Sequence, residues 1–140
     1  MKIIVDANRI VASLFKQGTT RDILFDDFFE FVTPDFTLTE FEEHEEEFQN
    51  KSKLTKEEFG IFFALLFERI TILPKSVYNN FLDECKELLK DIDDVPYLAA
   101  CLATKAEGIW SHDPNFKKQN KVKVFTNIDM LKMSGKVKLN

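Results

Sequence analysis

The 140-residue sequence predicts an α/β protein: a parallel sheet of about five strands covered by helices on both faces, a three-layer α/β/α sandwich. Three observations carry that expectation. Short β-branched apolar runs recur along the chain, amphipathic segments with helical spacing stand between them, and no repeat or low-complexity linker interrupts the alternation. With 44% apolar residues and fifteen phenylalanines, the composition suits a packed core, and the length suits a single domain over residues 1–140.

The first strand is "KIIV", residues 2–5, stopped by Asp6, and a helix follows from about Asn8. "TTRDILFDDFF" offers a threonine cap ahead of Ile23, Leu24 and Phe28, the spacing of an amphipathic helix. "FEFVTP", residues 29–34, returns to strand and ends at Pro34. One helix is expected across "TLTEFEEHEEEFQNK", with Thr39 and Glu42 as a capping box and Phe41 and Phe48 on one face. "TKEEFGIFFALLFERI" starts with a second such box, Thr55 and Glu58, and carries Phe59, Phe62, Phe63, Leu66 and Phe67. "ITILP" is a short strand closed by Pro74, and "SVYNNFLDECKELLKD" a fifth helix burying Val77, Phe81, Cys85 and Leu88 or Leu89. A sixth helix runs from Val95 in "KDIDDVPYLAACLA" and is expected to stop at Gly108. "GIWS" is a strand leading to Asp113, "KVKVFT" alternates as an outer strand, and a short helix lies around Ile128 to Met133.

The net charge of −5 hides an asymmetry. In the last 24 residues Lys117, Lys118, Lys121, Lys123, Lys132, Lys136 and Lys138 face only Asp129, giving +6 there and −11 in the rest of the chain. An acidic body with a basic end can meet a polyanion where a cation bridges the acids; a solvated, lysine-rich surface is the plain alternative. Cys85 and Cys101 have no C-x-x-C spacing, which argues against a zinc or disulfide framework and for buried thiols in a reducing compartment. No apolar run approaches the ~18 residues of a membrane span, so no membrane and a cytoplasmic address are expected. The scattered glycines form no phosphate loop, and neither histidine has the nucleophile partner of a triad.

In parallel sheets ligands bind beyond the carboxyl ends of the strands, and this chain puts acids there. Asp6 ends the first strand, Glu40 lies in the helix after the second, Asp94 heads the helix before "GIWS", and Asp113 follows that strand. Each acid also has a structural reading. Glu40 can complete a capping box with Thr37, with Glu43 or Glu47 on the same face one or two turns on; Asp113 can cap "PNFKKQ" ahead of Pro114; Asp93 or Asp94 can cap ahead of Pro96. Asp6 fits a structural role least, because an unpaired carboxylate straight after Ile3, Ile4 and Val5 is costly to bury. Four acids at one edge repel, by about 4 kcal/mol for a pair about 4 Å apart at an effective dielectric constant of ~20, unless protons or a divalent cation relieve them. Hard oxygen ligands suit Mg²⁺ or Mn²⁺ and phosphodiester hydrolysis. Of the crowded aspartates, Asp93 is the expected cap, Asp94 the metal-facing acid and Asp91 a solvated turn residue. His44, among glutamates, reads as solvated, and His112, beside Asp113, as a candidate for substrate contact.

"IIVDANRIVAS", "TPDFTLTEFEEH", "DDVPYLAACLATKAEGIWSHDPNF" and "VKVFT", taken in order, resemble a PIN domain across essentially the whole chain. PIN domains are metal-dependent ribonucleases that include the VapC toxins of toxin–antitoxin pairs. The resemblance implies four acids at Asp6, Glu40, Asp94 and Asp113, a supporting hydroxyl at Ser111, one or two Mg²⁺ or Mn²⁺ ions, cleavage of single-stranded RNA, a homodimer and a possible antitoxin partner. Where the family often has Thr or Ser after the first acid, this chain has Ala7, with Asn8 as the polar neighbour. Arg9, Lys117 and Lys118 are placed to guide an RNA backbone. Two rival classes are a non-catalytic PIN-like module that binds RNA or protein, and a receiver-like acidic signalling domain, whose paired acids near the first strand are missing here.

Overall fold

A computed structural model describes residues 1–15 and 18–137; Lys138 of the basic end lies outside the described residues. The chain runs β1 (Lys2–Val5), α1 (Ala7–Phe15), α2 (Thr19–Leu24), β2 (Glu30–Pro34), α3 (Phe36–Glu43), α4 (Glu45–Ser52), α5 (Lys56–Glu68), β3 (Ile70–Leu73) and α6 (Lys75–Tyr78). A 3-10 turn (Asn79–Phe81) leads into α7 (Leu82–Leu88) and α8 (Val95–Thr104), then β4 (Ile109–Trp110), a second 3-10 turn (Pro114–Lys118), β5 (Val124–Phe125) and α9 (Asn127–Met133).

The five strands form one parallel sheet in the order β3-β2-β1-β4-β5, the three-layer α/β/α arrangement that the alternation of strands and helices predicts. β1 is central because Ile3, Ile4 and Val5 are apolar on both sides of the strand, and all three are fully buried. The chain steps outward from β1 to β2 and β3, then returns to build β4 and β5 on the other side. Direction therefore reverses between β1 and β4, where Val5 stands opposite Trp110. Helix α8 lies across β1, β2 and β4, and its small, fully buried Ala99 and Ala100 permit close approach to the strands. Among the described residues no helix is long and apolar enough to cross a membrane.

Several local expectations are corrected. Gly18 starts α2 with no side-chain cap, and Phe28 lies beyond that helix, exposed. The single helix over residues 37–51 breaks at His44 (φ −119°). The break turns Glu45, Glu46 and Glu47 from mid-helix acids into first-turn acids of α4, where the helix dipole favours them. Because α3 already starts at Phe36, Thr39 lies inside it, and Thr39 and Glu42 form no capping box. The start of α3 is tied elsewhere: Asp35 accepts the Lys75 backbone N–H at 3.1 Å and the Tyr78 hydroxyl at 2.5 Å, joining the ends of β2 and β3. That bond brings Tyr78 inward in place of Val77, and the expected fifth helix becomes α6, a 3-10 turn and α7. The Thr55–Glu58 capping box of α5 forms as expected, and Cys85 and Cys101 are buried free thiols. "KVKVFT" pairs as strand only at Val124 and Phe125, because the Gln119 side chain takes up the Lys121 and Val122 N–H groups and the Val122 carbonyl.

Gly108 does not stop α8; Lys105 does, in the left-handed conformation at φ 54°. Glycine is needed at 108 for a different reason, since a Cβ there would stand 2.6 Å from both the Lys123 carbonyl oxygen and the Phe125 ring. Gly108→Ala must push β5 away from β4. We expect a loss of roughly 1–3 kcal/mol in urea denaturation, and an unchanged midpoint would show that the β4–β5 edge yields freely.

Candidate active site

The reversal between β1 and β4 opens the sheet edge where a ligand crevice is expected. Asp6 is the first residue past β1, and its backbone N–H bonds to the Trp110 carbonyl, so it turns into the crevice already clasped to β4. Its carboxylate is buried at 5% exposure and accepts the Ser111 hydroxyl at 2.6 Å and, more loosely, the Asn8 backbone N–H at 3.5 Å. The same Ser111 oxygen accepts the Asp113 N–H at 3.0 Å, so one buried hydroxyl sets both acids. Burial raises the proton affinity of Asp6, the Ser111 and Asn8 bonds oppose it, and Asp113 adds to the rise.

Asp113 keeps the structural role that its sequence offers: its carboxylate accepts the Asn115 N–H at 2.9 Å and starts the 3-10 turn ahead of Pro114. Asp94 departs from that pattern. It occupies the N-cap position of α8 but makes no cap bond, is buried at 8% exposure, and its Oδ2 has no hydrogen-bond partner among the described residues. Its pKa is pushed up to about 7, first by burial and then by Asp113, Asp91, Asp6 and Glu40. The capping role expected of Asp93 is not taken up. Asp91 instead accepts the Asp93 N–H at 3.0 Å, the exposed turn residue that it was expected to be, and Pro96 helps to start α8 through its preset φ.

Glu40 sits in α3 and accepts the Tyr97 hydroxyl at 2.5 Å. Burial lifts its pKa to about 6 against that bond, with Asp6, Asp93 and Glu43 adding to the rise. Glu43 itself is exposed, which favours Glu40 as the acid of the site. Thr37 does not cap: its hydroxyl lies 2.8 Å from Tyr97 Oη and 2.7 Å from Thr33 Oγ1, and Thr33 donates to the Val5 carbonyl at 2.9 Å. This buried row of hydroxyls runs from the end of β1 to Glu40. Sequence reasoning missed it, because Tyr97 stands 60 residues from Thr37 and only the spacing of Thr33 and Thr37 hinted at a helix bonded back to its strand.

Around these acids, His112 is exposed, and its Nε2 accepts the Asn127 N–H at 3.0 Å. Partial burial, then Arg9 and Lys117, lower the His112 pKa against the Asn127 bond, which favours the neutral ring. Asn127 was not foreseen as part of this region; it also accepts Trp110 Nε1–H at 2.9 Å and donates to Thr20 at 3.0 Å, which holds α2, β4 and α9 together. Lys117 is exposed, and Lys118, with the unforeseen Lys90, borders a cleft of about 250 Å³ beside Asp94. His44 is exposed and lies 3.3 Å from Glu47.

Among the described residues no three His, Cys, Asp or Glu side chains are gathered closely enough to form a ready metal cage. The donor set nonetheless fits a hard cation. Mg²⁺ takes one or two carboxylates directly and fills its shell with water, and Asp94 offers a buried oxygen that no other described residue engages, in a neighbourhood of mutually repelling acids. No curated protein matches the chain. A family model for the PIN domain matches residues 4–128. That span holds all four acids and reaches from β1 through β5, and the parallel sheet carries them at one edge; the chain belongs to the PIN domain family.

Proposed function

We propose that the chain is a nuclease dependent on Mg²⁺ or Mn²⁺ that hydrolyses phosphodiester bonds in single-stranded RNA. The fold is of a nuclease type, and the observation that carries the reading is Asp94 Oδ2, a buried acceptor without a donor among the described residues, beside acids that raise the pKa of Asp94. Asp94, Asp6 and Asp113, with Glu40, are the residues that would hold the cation, directly or through water. Such a cation, once bound, makes a coordinated water acidic enough to attack and offsets charge on the phosphoryl oxygens. The protein's own part is positional. Ser111 fixes the Asp6 carboxylate, Tyr97 fixes Glu40, and Lys90 and Lys118 attract the backbone beside Asp94. The toxin role, an antitoxin chain and a homodimer extend this reading and rest on the family resemblance.

The test is cleavage of a labelled single-stranded RNA in Mg²⁺ or Mn²⁺ by the wild type, Asp6→Asn and Asp113→Asn. Metal-dependent cutting that falls by more than about 100-fold in both variants supports the reading, and undiminished cutting sinks it. One observation favours a second reading, a PIN module that binds RNA without cutting it: the absence, among the described residues, of three gathered ligands. That module predicts RNA binding with no metal-dependent product in any variant.

A further inference from the structure

Two buried side-chain polar atoms lack hydrogen-bond partners among the described residues, Asp94 Oδ2 and Arg9 Nε. A cation answers the first. The second is a donor, and a cation would make its position worse. Buried donors are nearly always satisfied, so one left open on a half-buried charged side chain next to a proposed active site leaves the guanidinium free to turn toward an acceptor from outside.

The surroundings say what that acceptor is. Arg9 lies in the first turn of α1, three residues past Asp6, and among the described residues its guanidinium joins no ion pair. It borders an open groove of about 450 Å³ with Phe15, His112, Asp113 and Pro114. His112, which lines the same groove, accepts the Asn127 N–H at Nε2, so in the neutral ring Nδ1 carries the proton and is left as a donor. A guanidinium and an imidazole in one lining with the apolar Phe15 and Pro114 match a phosphate with its attached sugar and base. Asp113 belongs both to this groove and to the acid cluster, so the groove adjoins the cation site without coinciding with it.

We infer that Arg9, helped by His112, binds the phosphate next to the scissile one in a single RNA strand, with the neighbouring nucleotide lying against Phe15 and Pro114. This deepens the nuclease reading and rests on it for the identity of the strand.

The test uses RNA oligonucleotides that each carry one uncharged methylphosphonate linkage, moved stepwise past the cleavage point. Binding is read by anisotropy with Ca²⁺ in place of Mg²⁺, and cleavage is read in Mn²⁺. One position is expected to weaken wild-type binding about tenfold, the same linkage is expected to cost Arg9→Gln less than about twofold, and Arg9→Lys is expected to fall between them. The slope of log Kd against log salt should shrink by ~0.7 in Arg9→Gln. An equal penalty in wild type and Arg9→Gln, no position-specific penalty, or no RNA binding at all overturns the inference. The same scan on wild type and Arg9→Lys serves if Arg9→Gln does not fold. Wild type that binds in this Arg9-dependent way but never cuts RNA leaves the subsite standing and removes the nuclease reading instead.

Discussion

Asp94→Asn is expected to lose more than about 100-fold in metal-dependent cleavage while the metal-free protein becomes more stable at pH 8. The two halves have one cause. An ionised Asp94 is buried without a donor for its Oδ2 among the described residues and is repelled by Asp6, Asp113 and Glu40, so it is costly to the metal-free fold and suited to a cation. Asparagine keeps the shape, removes the charge and brings an N–H₂ donor to neighbouring carboxylates, worth roughly 1 kcal/mol. Urea denaturation in a chelator should show that gain at pH 8. At pH 5, where Asp94 already holds its proton, it should be nearly gone. A variant less stable than wild type at both pH values, or one that still cuts RNA, contradicts the assignment.

The metal-free wild type should lose stability as pH rises from about 4 to about 8. Asp94 has a folded pKa of about 7 and Glu40 of about 6, both above their ordinary values of 3.8 and 4.5, and Asp6 is raised as well. The folded state therefore binds these protons more tightly than the unfolded chain does. Their stabilising effect is complete below the ordinary values and disappears as pH climbs through the folded ones. A cation needs the same oxygens free of protons, so Mg²⁺ should raise the melting temperature more at pH 8 than at pH 5 and release protons on binding near pH 6. Calorimetry in two buffers of different ionisation enthalpy reads that release. Equal Mg²⁺ shifts at both pH values would detach the acids from the metal.

What the sequence made legible was local. "KIIV" ending in Asp6 needs no partner to be read as a buried strand delivering an acid, and Thr55 with Glu58 is a start signal complete within four residues. The hidden features come from residues far apart. Nothing near Gly108 says that Phe125 will pack on its Cα, and Lys105 takes a left-handed conformation that lysine does not advertise. The break at His44 is a balance between helix propensity and the five glutamates that flank it, and pattern alone extends the helix through it. The four acids could be placed on one edge because a parallel sheet puts strand ends together. That Asp94 would be the unengaged one follows only from the bonds found by the others.

The row of hydroxyls behind Glu40 has a consequence in its proton inventory. Val5 carbonyl, Thr33, Thr37, Tyr97 and Glu40 make four successive contacts, but the three hydroxyls own three protons between them. The row closes only when Glu40 supplies the fourth as a carboxylic acid, each group then donating to the next as far as the Val5 carbonyl. When Glu40 ionises, one link must go without a proton. With Glu40 ionised, Tyr97 donates to it and Thr33 to the Val5 carbonyl, so Thr37 can donate to only one of its two neighbours; the charge state of Glu40 thus sets which way the Thr37 and Tyr97 hydroxyls point, in a row anchored on the residue before Asp6.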